Sequence, residues 1–164
     1  MLLWYIGFSV LIVWAVFRSP TADYRLVALG SIVPLAEVPF GEPRLAHSLA
    51  GPTLVMAAVM LGARGRRLVQ RRWLGLPIGM FLHLVLDGSW ANPHGFWWPA
   101  MGLSWSDEQL PILGRGLGPN LALEALGLAC CAWLWRRFRL GDPALRAQFV
   151  RTGRIDRSIL PGQG

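Results

Sequence analysis

Residues 1–18 are MLLWYIGFSVLIVWAVFR, seventeen uncharged residues closed by Arg18. A hydrocarbon core about 30 Å thick needs roughly 20 apolar helical residues, with a working range of about 17–25. Met1–Phe17 meets the lower bound. It has no basic n-region, and no small-x-small site precedes Arg18-Ser19-Pro20, so it does not read as a cleaved signal peptide. The expectation is a retained first membrane helix.

Four further segments follow outward from it. Tyr24–Val38 is short and is interrupted by Gly30 and Pro34, so it either barely spans or re-enters. Leu45–Ala63 is apolar except for His47, and Trp73–Asp87 carries His83 and Asp87 near its end. Leu117–Trp135 is apolar except for Glu124. The predicted fold is all-α, a polytopic transmembrane bundle of about five helices over residues 1–138. A Trp-rich outer loop spans 88–116, and residues 139–164 form a cytoplasmic Arg-rich tail. Composition agrees: 54% of residues are hydrophobic and 15% charged, against about 25% charged in soluble domains. Such hydrophobicity excludes intrinsic disorder. Cys130 and Cys131 are adjacent within an apolar run, which excludes a disulfide scaffold. They read as small core residues.

The net charge is +7, and all sixteen basic residues are arginine. A strongly basic chain suggests nucleic acid, but the arginines are sorted by loop. Arg18 and Arg25 follow the first helix, and Arg64, Arg66, Arg67, Arg71 and Arg72 precede the fourth. Seven more follow Trp135, and only Arg44 and Arg115 lie elsewhere. With the N-terminus out and the C-terminus in, fourteen of the sixteen fall on the cytoplasmic side. The expected partner is therefore the lipid bilayer, with no nucleic acid; the oligomeric state stays open. The arginine usage suits a GC-rich bacterial source, and hence the cytoplasmic (inner) membrane. In the tail, Asp142-Pro143 predicts an N-cap and first helical turn. Leu145, Phe149 and Val150 then form the apolar face of a short helix held at anionic lipid by arginine.

This orientation puts Glu37, His47, His83, Asp87 and Glu124 near the outer face. His83 and Asp87 are four residues apart, on one helical face. The same row runs back through Gly79 and Gly75, where a neighbouring helix can approach closely. Pro77 predicts a kink between the two halves. Ala125 and Ala129 predict a small-residue packing row on the fifth helix. Glu124, a carboxylate within an apolar span, is a functional-site hypothesis by default. In the outer loop, Trp90, Trp97, Trp98 and Trp105 stand among Pro93, Pro99 and Pro111. They read as headgroup anchors or as a lid, with His94 beside them.

Val33-Pro34-Leu35-Ala36-Glu37, His47-Ser48, His83-Leu84-Val85-Leu86-Asp87 and Trp98-Pro99 together resemble a bacterial family, the LexA-regulated, membrane-bound, predicted metal-dependent hydrolases. That family carries a Leu-Pro-Asp-x-Asp turn, a His-Arg-Gly-x-Thr-His-Ser stretch and a His-x-x-x-Asp helix. The resemblance runs from Val33 to Pro99. Leu35 replaces the first aspartate of the turn, Glu37 the second, and Glu42 the first histidine, while Arg44 lies near the family's arginine. The resemblance implies a metal-dependent hydrolase. His47, His83 and Asp87 are the expected metal ligands, and Glu37 or Glu124 completes the site as the catalytic carboxylate. Ser48 and Trp98 are the substrate-binding candidates; for Ser48 a hydrogen bond within its own helical turn is the alternative. Mixed histidine and carboxylate donors suit a divalent ion, zinc first, with manganese or iron as alternatives. Sharing one ion requires the three side chains to lie within about 8 Å of one another, given bonds near 2 Å. A site open to the outer leaflet points to a lipid or lipid-linked ester as substrate. The alternatives are ion or proton handling and a purely structural or partner-binding bundle.

Overall fold

Leu2–Phe17 forms one helix, α1, and it ends where Arg18 turns left-handed. The computed structural model describes residues 1–40, 45–104 and 111–159, so Glu42, Arg44 and Trp105 lie outside the described residues. After α1 come α2 (Tyr24–Ile32), a 3-10 segment Val33–Phe40, and a 3-10 turn Leu45–His47. Then follow α3 (Ala50–Gly62), α4 (Arg67–Trp73) and α5 (Gly75–Asp87). The connection after α5 contains the short helices α6 (Pro93–Phe96) and α7 (Pro111–Gly114). The chain closes with α8 (Leu117–Arg137) and α9 (Pro143–Thr152). No strand occurs among the described residues, so the all-α class holds.

Helix lengths differ from the apolar runs that predict them. Only α8, with 21 residues, is long and apolar enough to cross a membrane as a single helix among the described residues. Its length is ~31 Å at about 1.5 Å per residue. α2 stops at Ile32 because Pro34 removes a backbone donor and disfavours helix in the residue before it. The expected single helix over Leu45–Ala63 divides into the 3-10 turn and α3, and α5 begins at Gly75 after a break at Leu74. Pro77 therefore lies in the first turn of α5, where a missing N–H costs little, and not at a mid-helix kink.

Two glycine-mediated crossings fix the arrangement. On α5, a methyl group at Gly79 would overlap the Val27 carbonyl oxygen and crowd Ser31 and Gly30 of α2. Gly30 is equally tight against the Leu76 carbonyl. The predicted glycine row thus faces α2. On α8, Gly127 lies against the backbone of Leu3 and Trp4 in α1. The packing face of α8 is Gly127, Cys130 and Leu134, whereas Ala125 and Ala129 are exposed. The predicted alanine row is therefore corrected to one rotated around the helix, because the backbone approach of α1 needs a residue without Cβ.

The core joins Val10, Val13, Tyr24, Val27, Cys130, Leu134 and Phe138 to Leu140, Ile155 and Ile159. The tail thus folds onto the helices rather than standing apart from them. Asp142 caps α9 by accepting from the Ala144 amide at 2.8 Å, as its sequence predicts. Phe149 packs on the core, while Val150 is 64% exposed. Leu145 and Phe149 are one turn apart, but Val150 lies about 100° further around the helix.

The α1–α2 connection, α4 and the tail meet at one end of the fold, around Asp23. This carboxylate is 2% exposed. It accepts from the backbone and side chain of Arg25 and, at 3.1 Å, from Nε of Arg72. Tyr24 donates its amide to the Gly153 carbonyl at 2.9 Å, and Arg25 reaches the Val150 carbonyl. Gly153 has φ +71, and a Cβ there would overlap the Asp23 carboxylate, so both conformation and space require glycine.

Burial works to raise the Asp23 pKa, but hydrogen bonds and charge from Arg25 and Arg72 outweigh it and hold the carboxyl below its ordinary value of 3.8. Its stabilising contribution is therefore complete above that ordinary value and is lost as pH falls through the lower folded one. Tail docking should stay intact from neutral pH down to about 4 and loosen only in stronger acid. Limited proteolysis of the tail across this range, beside Asp23→Asn, tests the sign. Wild-type release near pH 6 would contradict it.

Candidate metal centre

His83 and Asp87 stand one turn apart on α5, and His47 ends the 3-10 turn before α3. All three are essentially inaccessible, at 0%, 1% and 1% exposure respectively. One ligand atom from each lies within 4.8 Å of the other two, well inside the expected limit. A tetrahedral zinc site has donor–donor edges of ~3.4 Å.

The surrounding hydrogen bonds decide which atoms are available. Nδ1 of His83 lies 2.7 Å from the Ser31 carbonyl oxygen, which can only accept. The ring therefore carries its proton on Nδ1 and leaves a lone pair on Nε2. That Nε2 is buried and has no hydrogen-bond partner. An orphaned buried acceptor is rare in a folded protein and calls for an explanation. His47 repeats the logic. Its Nδ1 lies 2.8 Å from Oε2 of Glu37, whose other oxygen accepts the Ala46 amide at 2.8 Å. A carboxylate or carbonyl on the far nitrogen is the arrangement that fixes ring orientation and raises basicity in metal-ligating histidines. The two rings meet edge to face at 5.2 Å, and Tyr5 stacks on His83 at 4.0 Å.

Asp87 is held from three directions. The Tyr5 hydroxyl donates to Oδ1 at 2.6 Å and the Ser89 hydroxyl to Oδ2 at 3.2 Å. The Arg115 guanidinium lies 3.4 Å from Oδ1 and also donates to the Asp87 carbonyl. A cavity of about 390 Å³ opens beside this cluster. Its lining includes His47, Asp87, Asn92, Phe96 and Arg115. The site is thus a buried ligand group at the base of an accessible pocket.

The other candidates have separate places. Glu37 bonds Nδ1 of His47, the position of an orienting carboxylate for a ring that would bind an ion through Nε2. Glu124 accepts the Leu3 amide with both oxygens, at 3.2 and 3.1 Å. It caps the first turn of α1, where unsatisfied amides and the helix dipole favour a negative charge. It is not among the three residues that share a possible ion. Ser48 is buried and donates to the Leu45 carbonyl at 2.8 Å, closing its own turn. Trp98 donates to the Leu103 carbonyl at 3.2 Å, and His94 is exposed on α6. Neither lines the cavity beside the cluster.

Against protein-family models, curated proteins and solved structures, the chain has no match. Its function must therefore be argued from the geometry of this cluster.

Tyr5, Ser31, Ser89 and Arg115 are absent from the sequence-derived site. Two of them leave a trace in the sequence. Tyr5 is one of two hydroxyl residues, with Ser9, in the apolar run 1–17, and Arg115 is one of only two arginines outside the three arginine-rich segments. Removing Glu37 should expose the dependence of His47 on its carboxylate. Glu37→Gln is expected to weaken metal binding by about 10–100-fold, the usual effect of losing an outer partner. Competition titration against a chelating dye measures this; unchanged affinity would remove Glu37 from the site.

Proposed function

We propose that the chain is a multi-pass protein of the bacterial cytoplasmic membrane, with about five crossings, N-terminus out and C-terminus in. At its outer face it acts as a metal-dependent hydrolase on a lipid or lipid-linked ester. The buried, unpartnered Nε2 of His83, within reach of His47 and Asp87, carries this reading. The donor set of two imidazoles and one carboxylate fits zinc, with manganese or iron as alternatives. It also leaves room for a fourth, exchangeable ligand on the cavity side.

The membrane assignment draws on the outer surface. Only 17% of the apolar window of α8 is buried, unlike the core helix of a soluble protein. Leu54, Leu61, Val85, Leu121, Leu126 and Trp133 are among the large apolar residues left exposed. The three arginine-bearing regions meet around Asp23, and the ligand cluster lies at the other end of α5, ~18 Å away at about 1.5 Å per residue. This separation fits arginine inside and metal outside. α3 and α5 have 13 residues each, which makes them short crossings. The 3-10 turn ahead of α3 and local thinning of the bilayer accommodate that mismatch.

A divalent ion held here would supply Lewis-acid polarisation of an ester or phosphoryl oxygen and lower the pKa of a bound water. The protein's own groups prepare the site. Glu37 and Ser31 fix both histidine tautomers, while Tyr5, Ser89 and Arg115 hold Asp87. Arg115 also lines the cavity, where its charge would favour an anionic substrate oxygen. The close α2–α5 crossing below the cluster opposes an ion pathway continuing inward.

The test uses full-length protein purified in detergent. Metal content is measured first. Hydrolysis of a panel of short-chain phospholipids is then followed by mass spectrometry, with and without chelation. Chelator-sensitive product formation supports the hydrolase. Stoichiometric metal without turnover on any lipid ester would shift the reading to a structural or transport site. A C-terminal tag reachable only from outside the cell would overturn the orientation.

A further inference from the structure

A second cavity, of about 330 Å³, lies at the arginine end of the fold. Its walls come from three parts of the chain: Thr21 and Asp23, α4, and the end of α9. Four guanidinium-bearing residues line it, Arg71 and Arg72 from α4 and Arg151 and Arg154 from the tail. The one carboxylate, Asp23, is already engaged by Arg25 and Arg72. No carboxylate pairs with Arg71, Arg151 or Arg154 among the described residues.

Like charges gathered around one concavity repel one another, so the gathering needs a cause. The tail is fixed there by its backbone. Tyr24 binds the Gly153 carbonyl, Arg25 binds the Val150 carbonyl, and Gly153 takes a left-handed conformation against Asp23. These contacts set Arg151 and Arg154 on either side of the turn, in the same cavity as Arg71. Arginine's planar fork matches phosphate oxygens better than any other cation in a protein.

We propose that this cavity binds a phosphate-bearing anion, held by Arg71, Arg151 and Arg154. The anion has two natural sources, the headgroup of an anionic lipid in the adjacent leaflet or a free phosphate. The inference rests on this end of the fold alone and is independent of the metal site.

The experiment follows thermal stability of the full chain in an uncharged detergent at constant ionic strength. Three probes are titrated: short-chain phosphatidylglycerol, short-chain phosphatidylcholine and inorganic phosphate. Saturable stabilisation by phosphatidylglycerol but not phosphatidylcholine supports a lipid headgroup site. Saturable stabilisation by inorganic phosphate supports a free-phosphate site. In either case the Arg151→Ala, Arg154→Ala double variant should weaken apparent affinity by at least about tenfold, as expected for losing two charge-assisted contacts. Arg71→Ala tests the opposite wall without touching the tail. Arg66→Ala, outside the cavity, should bind like wild type. The proposal is overturned if neither anionic probe stabilises wild type, or if the cavity variants respond as wild type does.

Discussion

Replacing His83 with alanine should leave the purified protein without stoichiometric metal while its helices stay assembled. His83 is fully buried, and its Nε2 has no partner within the protein. Losing an outer-sphere partner commonly costs about 10–100-fold in metal affinity; losing one of three protein donors should exceed that. Asp87→Ala should do the same, with a larger cost to stability, because it leaves the fully buried Tyr5 hydroxyl without its acceptor and removes the carboxylate facing Arg115. Elemental analysis of both variants beside wild type gives the answer, with size-exclusion profiles and helix content recorded in parallel. Full metal content in both variants would remove His83 and Asp87 from the site. Well-folded wild type without any metal would end the metal reading altogether.

Gly79→Ala should be among the most damaging single-methyl additions in the chain. The new Cβ would meet the Val27 carbonyl oxygen, the Ser31 amide and the Gly30 Cα, all of them backbone atoms that cannot rotate away. Overpacking typically costs about 1–3 kcal/mol and sometimes more; with helix backbone on the receiving side, the upper end or beyond is expected. At about 2–4 °C per kcal/mol for a chain of this size, the apparent Tm should fall by roughly 6–12 °C. The effect should extend to the metal. Gly79 lies one turn before His83, and Ser31, which orients that histidine, lies on the α2 segment that must move. Gly62→Ala is the matched control. It ends α3 with nothing near the added methyl, so it should be neutral or stabilising by up to about 1 kcal/mol. Equal thermal shifts for the two variants would contradict the close-crossing account.

What could be read from sequence follows from which interactions are local. The row Gly75, Gly79, His83, Asp87 is set by helical period alone, and its tight half and polar half both occur in the structure. The capping role of Asp142 is local too. Choices between faces or partners were not legible. α8 has small residues on more than one face, and only the position of α1 selects Gly127 over Ala125 and Ala129. Glu124 reads as an expensive carboxylate wherever it points; the α1 amide that it accepts, that of Leu3, lies 121 positions away. Tyr5 and Arg115 likewise become site residues only through long-range contact with Asp87. A proline explains the early end of α2 at Ile32, but the number of residues lost from the apparent span depended on the 3-10 geometry that follows.

The hold on Asp87 has one more consequence. Its negative charge is balanced by Arg115 and solvated by two hydroxyls before any cation arrives. Small zinc domains unfold on chelation because the ion is their only answer to clustered ligands. Here the Asp87 carboxylate already has protein partners, both histidine rings are anchored through Nδ1, and the helices are joined by glycine crossings elsewhere. The apo-protein should therefore persist as a folded species, ready to take up and release its ion. Binding would then be an exchangeable equilibrium set by cellular supply, separate from the event that builds the fold.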